Sequence, residues 1–278
     1  MNTTASPLIV IKIGGGKGID VLPLLTEIAE LVRSGTRVVL VHGGSHETNT
    51  ISDLLGHPPR FLTSPLGHTS RRTDQATLDI FKMVYCGKIN KGIVEHLRRH
   101  GIDAVGLSGI DGGLWQGKRK DAIRSVEEGR VLIVRDDLTG TVDHVDARLL
   151  NLLLNDGRTP VLCPPAVTED GIAINVDADR AAARTAIAMG ASEFLLLSNI
   201  PGVLRDPSDN HSLIANANTV GLSVVRAAAQ GRMKNKVMAA QDAVTGGVQR
   251  VVIGSANGEN SIARARSGAG TIFEAVLV

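Results

Sequence analysis

The sequence predicts an α/β fold built on a mainly parallel central sheet. Short runs rich in Val, Ile and Leu recur with no polar alternation, so the strands they form are apolar on both faces, as in a sheet covered on each side. Each run is closed by glycine or proline and followed by a stretch with helical spacing, and strand–helix alternation of this kind builds parallel sheets. The 278 residues, 43% hydrophobic and 21% charged, suffice for a large core in one domain or two lobes.

The first strand is expected over 8–13, interrupted only by Lys12; it runs into Gly14, Gly15 and Gly16, ahead of a helix over 19–33. The second, over 38–42, ends at His42 and runs into Gly43 and Gly44, ahead of a helix over 47–55. One long helical pattern covers 74–99. Further strands are expected over 131–134, 160–163, 194–197 and 250–253, with helices over 147–154, 178–189 and 234–245. No Pro/Ser-rich linker, low-complexity tract or fixed-period repeat divides the chain. The expected organisation is therefore one domain over 1–278, divided internally into a first lobe, about 1–174, and a second, about 175–278. Ligands of open α/β sheets bind outside the carboxyl ends of strands, where the glycine turns fall.

A net charge of +2 argues against a nucleic-acid backbone as the main partner, and four Phe, one Tyr and one Trp are too few for a base-stacking platform. Cys86 and Cys163 cannot make a disulfide framework or a cysteine zinc site; they read as packing residues of a reducing compartment. The N-terminus lacks a basic region followed by a long apolar stretch, and no run approaches a membrane span, so the expected address is the cytoplasm.

Four segments carry chemistry. Lys12 places a positive charge beside the backbone N–H groups of a Gly-rich turn, a corner that binds phosphate or simply reverses the chain. In V-L-V-H-G-G-S-H, a second such corner, Ser45 reads as the cap of the next helix, and His42 as structural in preference to catalytic. N-V-D-A-D crowds Asn175, Asp177 and Asp179 at a helix start, where the acids complement the helix dipole, bind Mg²⁺ or hold lysines in place. A-Q-G-R-M-K-N-K-V puts Arg232, Lys234 and Lys236 at a helix start that disfavours cations, a placement that phosphoryl transfer explains, because that reaction needs positive charge and alignment.

Lys12 with Gly14 and Gly15, His42-Gly43-Gly44, Arg71 in S-R-R-T-D, G-L-S-G-I-D-G over 106–112, Asn175 with Asp179, S-N-I-P-G-V over 198–203, and Lys236 occur in the order of the amino acid kinase family, which the chain resembles nearly end to end. The resemblance implies a three-layer α/β/α sandwich of the carbamate kinase type, with acceptor binding and dimerisation in the first lobe and nucleotide binding in the second. The layout is similar to that of acetylglutamate kinases. The segments G-H-P-P-R-F-L-T over 56–63, M-V-Y-C-G over 83–87 and Q-G-R-M-K-N-K over 230–236 more closely resemble members that phosphorylate aminoadipate or glutamate attached to a small acidic amino-group carrier protein of the LysW kind.

Carried over by residue, the resemblance implies that Lys12 and Lys236 neutralise the transferred phosphoryl group and that Asp179 orients both lysines. Gly14, Gly15, Gly43 and Gly44 line the phosphates and acceptor, and Arg71 and Asn175 hold the acceptor by its carboxylate end. The nucleotide lies near Ser198, Asn199, Gly202, Val203, Asp206, Gly231 and Met233. The substrates are ATP with Mg²⁺, which needs few protein ligands, and the product is an acyl phosphate. Ser198-Asn199 stands where the family usually has Thr-Asp, and Asp177 where acetylglutamate kinases commonly have asparagine. A homodimer through helices of the 74–99 region is implied as well.

Lys118, Arg119, Lys120 and Arg124 read either as a solvated surface or as a basic patch that steers the acidic carrier. Arg60 and Tyr85 shape the acceptor pocket or serve packing. The rival activities are phosphorylation of free N-acetylglutamate and nucleotide sensing without catalysis; the joint presence of Lys12, Asp179 and Lys236 argues against the second.

Overall fold

The computed structural model describes residues 6–275 apart from Leu66, His68 and Glu128; the reading of the extreme N-terminus lies outside the described residues. Seven strands form the central sheet: β1 (Leu8–Ile13), β2 (Arg37–His42), β3 (Ala104–Ser108), β4 (Thr159–Cys163), β5 (Glu193–Ser198), β6 (Arg250–Ser255) and β7 (Thr271–Glu274). Their order is β7-β6-β5-β1-β2-β4-β3, parallel throughout except for the antiparallel β6–β7 edge. One sheet thus serves both halves of the chain, with β1 bonded to β2 on one side and to β5 on the other.

The helices are α1 (Val21–Arg33), α2 (Ser45–Leu54), α3 (Gln75–Lys82), α4 (Asn90–Arg99), α5 (Ala147–Asn155), α6 (Ala178–Ala188), α7 (Ala217–Val220), α8 (Leu222–Ala228), α9 (Met233–Thr245) and α10 (Ser261–Arg266). They cover the sheet as two layers, each with its own core. Ile9, Ile11 and Ile13 of β1 pack with Leu24, Leu25 and Ile28 of α1, Ile93 and Leu97 of α4, and Ile262 of α10. Leu8 and Val10, on the opposite face, pack with the alanines of α6 and α9. Because side chains alternate along a strand, Lys12 shares the face of Leu8 and Val10 and is aimed at α6 and α9.

Three sequence expectations change. The 131–134 strand exists as part of Arg130–Val134, but it pairs antiparallel with Ile123–Glu127 in a hairpin outside the central sheet, and Val131, Leu132 and Ile133 are exposed. An apolar run alone does not tell a covered strand from an outlying ribbon. The 74–99 helix is interrupted by a π-helical segment, Met83–Ile89, between α3 and α4. Ser45 does not cap α2; Gly44 occupies the cap position, and no side chain caps there.

Two edge strands escape the sequence reading. In β3 the run A-V-G-L-S is diluted by Gly106, where a Cβ would fall 1.9 Å from Oδ1 of Asn90, so glycine is required for α4 to lie this close. β7 is a four-residue antiparallel edge without helical sequence after it.

Candidate active site

The site forms where β1, β2 and β5 end. Lys12 lies on β1, Asp179 in the first turn of α6, and Lys236 in the first turn of α9. Asp177, one residue before α6, caps it by accepting from the Arg180 N–H at 3.0 Å; it also accepts from Asn235 Nδ2 at 2.9 Å. With Asp177 committed to the helix end, Asp179 is free to face the sheet. Its Oδ2 accepts a hydrogen bond from Lys236 Nζ at 2.8 Å, and Lys12 Nζ stands 2.5 Å from its Oδ1 as an ion pair outside hydrogen-bond geometry. All three are buried, at 5, 7 and 8% exposure for Lys12, Asp179 and Lys236.

Burial works to raise the Asp179 carboxyl, yet the two ammonium groups overcome it and hold the carboxyl well below the usual carboxylate range. Burial lowers Lys12, and the Lys236 charge adds to that lowering while Asp179 opposes it. Two cations share one anion, so the cluster carries net positive charge into a water-poor corner. An arriving anion gains most in such a place.

The two glycine turns touch through their backbones. A Cβ at Gly15 would lie 1.9 Å from Gly44 N, and one at Gly43 would lie 2.8 Å from Gly15 N. Gly43 N–H donates to Ile13 O at 2.9 Å and His46 N–H to Gly15 O at 2.8 Å, and Ser45 Oγ donates to the same Gly15 carbonyl at 3.1 Å. Ser45 is therefore a tie between the corners. Among the described residues no backbone carbonyl accepts from the N–H of Gly15 or Gly44; the Gly44 N–H is turned to the Tyr85 hydroxyl, and the Gly15 N–H is left to a ligand. Gly14, by contrast, donates its N–H to Leu197 O at 2.8 Å and belongs to the sheet edge.

His42 is structural, in line with the preferred sequence reading. Its Nδ1 donates to Gly43 O at 3.0 Å, and Asn90 Nδ2, which also donates to Val161 O, lies 3.1 Å from Nε2. A carbonyl only accepts and an amide NH₂ only donates, so this geometry requires the neutral ring with its proton on Nδ1. Burial holds the imidazole down at about 4.

Arg71 ends the short ribbon Phe61–Thr63/Thr69–Arg71. Its guanidinium lies 5.5 Å over the Phe61 ring, and Nη2 donates to Ser45 O at 3.3 Å and to Asn49. Its Nη1 is buried without a partner, an unmet donor suited to a carboxylate. Asn175 donates from Nδ2 to Thr73 Oγ1 at 2.9 Å, in the turn just after Arg71. Arg232 donates to Ser45 Oγ from the far side, and Tyr85 walls Gly44, whose Cβ would lie 3.0 Å from Tyr85 Cε2. Sequence reasoning named both residues without assigning Arg232 a target; its signal was a cation at a helix start.

The residues expected around the nucleotide are less unified. Ser198 ends β5 with its Oγ buried and unpartnered, and Asn199 Nδ2 donates to Lys17 O at 3.4 Å beside the first glycine turn. Met233 begins α9 and is buried, and Gly231 precedes it with φ 50° in open space. Gly202 and Val203 are held against β7: the Val203 N–H donates to Thr271 Oγ1 at 2.8 Å, and its side chain is in the core. The Asp206 carboxylate accepts from Ser208 Oγ and N–H at 2.7 and 2.9 Å, within its own turn.

Convergent lysines, two touching glycine turns and an unmet arginine donor at the strand ends of an α/β/α sandwich define a kinase class that works by positioning and charge. The chain belongs to the amino acid kinase family, whose model matches residues 7–255. It is 53% identical to the [LysW]-aminoadipate kinase of Deinococcus radiodurans over 265 residues, covering 95% of this chain and 91% of that protein. It is 49% identical to the [LysW]-aminoadipate kinase of Thermus thermophilus over 267 residues, covering 95% and 99%. An acetylglutamate kinase of Methanopyrus kandleri is 36% identical over 251 residues, covering 90% and 95%. Among solved structures, N-acetylglutamate synthase from Neisseria gonorrhoeae superposes with a TM-score of 0.77 at 22% identity, covering 98% of this chain and 60% of that one. Carbamate kinase from Giardia lamblia gives 0.67 at 15%, covering 97% and 99%. These two likenesses show the fold, the three-layer sandwich the resemblance implied.

Proposed function

We propose that this protein uses ATP to phosphorylate the side-chain carboxylate of α-aminoadipate carried on a LysW-type protein, with glutamate as a second cargo, in lysine biosynthesis. The observation that carries this reading is the Lys12–Asp179–Lys236 cluster facing the paired glycine turns. A carboxylate oxygen of the acceptor attacks the γ-phosphorus in line, the bond to the β–γ bridging oxygen breaks, and ADP leaves as the acyl phosphate forms. That carboxylate is already ionised at neutral pH, so no base has to remove a proton.

Lys12 and Lys236 neutralise the oxygens of the phosphoryl group in transit, and Asp179 fixes both ammonium groups. Gly15 donates its N–H group to those oxygens. Arg71, through its unmet Nη1, and Asn175 hold the carboxylate end of the acceptor. ATP lies toward Ser198, Asn199 and Met233. Mg²⁺ would enter with ATP and would supply charge neutralisation at the phosphates, needing few direct protein ligands.

For the carrier, the reading is supported by a groove of about 730 Å³ beside the acceptor arginine. Arg60, Arg72 and Arg135 line it with Phe61, Leu132 and Ile133, alongside Glu127 and Asp136, the latter paired to Arg72 at 2.6 Å, and Phe61 is the ring under Arg71. Lys118, Lys120 and Arg124 are exposed nearby in sequence, on and before the hairpin. The second lobe as nucleotide site, and dimerisation through α3 and α4, belong to the same proposal.

The deciding experiment is a coupled ADP assay with carrier-linked aminoadipate, carrier-linked glutamate and free N-acetylglutamate. Turnover is expected with the carrier-linked acids. Strong turnover of free N-acetylglutamate would replace this reading with that of an acetylglutamate kinase.

A further inference from the structure

We propose that Cys86 and Cys163 form a thiol pair that closes reversibly to an intramolecular disulfide when the protein meets a peroxide. This goes beyond the kinase reading and does not depend on it. The two residues, 77 apart in sequence, bring their sulfurs to 4.0 Å across two different elements. Cys163 ends β4 and is fully buried beside Phe81 and Tyr85. Cys86 is half-buried on the π-helical Met83–Ile89 segment, with its Sγ 3.9 Å from Pro164 O. A disulfide needs the sulfurs at about 2.05 Å, so they must approach by about 2 Å. β4 is clamped between β2 and β3, which leaves the π segment as the side that moves.

The pair is chemically asymmetric. The Cys86 thiol is lowered by the hydrogen bond it accepts from Cys163, with Ser108 and Lys91 adding and burial and Asp111 opposing. Cys163 is pushed up by donating that bond and by burial. Cys86 is therefore both the more acidic thiol and the one solvent reaches, the two conditions for attack on a peroxide.

In the first step the Cys86 thiolate attacks one peroxide oxygen; the S–O bond forms, the O–O bond breaks, and hydroxide leaves, giving Cys86 sulfenic acid. In the second the Cys163 sulfur attacks the Cys86 sulfur; the S–S bond forms and the S–O bond breaks. The second oxygen departs as water with the Cys163 proton, and the proton that Cys86 released on ionising neutralises the hydroxide of the first step. Two thiols are oxidised and one hydrogen peroxide is reduced to two waters, with a low-molecular-weight thiol restoring the pair. Because Tyr85 adjoins Cys86 and is the chain's one tyrosine, closure also shifts the ring that walls Gly44.

The test treats the full protein with stoichiometric hydrogen peroxide and reads intact mass, thiol count in denaturant and the tyrosine band of the near-UV circular dichroism. Expected are loss of both thiols, a mass lower by about 2 Da, a changed tyrosine band, and full reversal by dithiothreitol. Cys163→Ser should stop at a Cys86 adduct heavier by about 16 Da that dimedone traps. Oxidation of Cys86 by about 32 Da with Cys163 still open to alkylation, a disulfide between two chains, or unchanged thiols would each overturn the proposal. The wild-type mass decides the matter even if the variant does not fold.

Discussion

Arg232 Nη1 donates to Ser45 Oγ at 3.3 Å and so joins the segment entering α9 to the first residue of α2, which tie together sequence positions 187 apart. The bond carries positive charge from the half of the chain that bears Lys236 over to the paired glycine turns. Arg232→Ala should lower kcat/KM by about ten- to a hundredfold, the range for a lost charged hydrogen bond of about 1.5–3 kcal/mol. Thermal stability should stay near wild type, because the contact is exposed. Steady-state kinetics beside a melting curve would check both halves.

Removing Lys12 and removing Asp179 should separate activity from stability. Lys12→Met keeps the shape and leaves Asp179 paired to Lys236, so kcat should fall by about a hundredfold or more with modest loss of stability. Asp179→Asn leaves two buried ammonium groups facing each other; this should cost about 3–5 kcal/mol in urea unfolding as well as activity. Equal destabilisation by the two variants would contradict the account of Asp179 as the clamp.

Gly15 and Gly16 are neighbours with opposite tolerance. A Cβ at Gly15 would enter the Gly44 backbone, whereas one at Gly16 meets nothing within 4 Å. Gly15→Ala should lose about 1–3 kcal/mol or more and most activity, since backbone cannot step aside as a side-chain tip does. Gly16→Ala should fold with near-native stability, as measured by chemical denaturation.

His42 predicts an acid-sensitive fold. Its folded-state value of about 4 lies below the ordinary 6.5, so between those pH values the unfolded chain binds the proton the folded chain refuses. The stability it contributes is complete above 6.5 and drains away as pH falls toward 4, in total about 3 kcal/mol. Urea midpoints collected from pH 7 to 4.5 should decline more steeply for wild type than for His42→Gln.

For the carrier, the substitutions to combine are Lys118→Ala, Lys120→Ala and Arg124→Ala. Arg119, grouped with them by sequence, is instead a tie whose Nε donates to Asp137 O at 2.8 Å and whose Nη2 donates to Arg135 O, so altering it would disturb the loop. The triple variant should raise KM for carrier-linked substrate severalfold at low salt and leave KM for ATP unchanged. Unchanged carrier kinetics would assign these charges to solvation alone.

The strand cores are legible in the sequence because a covered parallel strand must be apolar on both faces, and β1, β2, β4, β5 and β6 obey that rule. β3 and β7 do not, since an edge needs less apolar surface and Gly106 is dictated by Asn90, a neighbour remote in sequence. Residue types alone leave the acids at the start of α6 with three readings, and it is the family resemblance that joins Lys12, Asp179 and Lys236; the bridging of both lysines by one carboxylate depends on how α6 and α9 pack. Ser45 misleads for a related reason: a hydroxyl at a helix start usually caps, yet here the glycine turn of another strand offers Gly15 O as acceptor.

The alternation along β1 has one more consequence. Ile9, Ile11 and Ile13 enter one core, while Leu8, Val10 and Lys12 face the other. A slip of one residue against Leu196 and Val41 would exchange the two sets, driving an ammonium among Leu24, Ile28 and Leu97 and leaving Asp179 opposite a hydrocarbon. The apolar side chains that fix the register of this strand are thus also its aiming device, and no misaligned sheet can carry the charge cluster by accident.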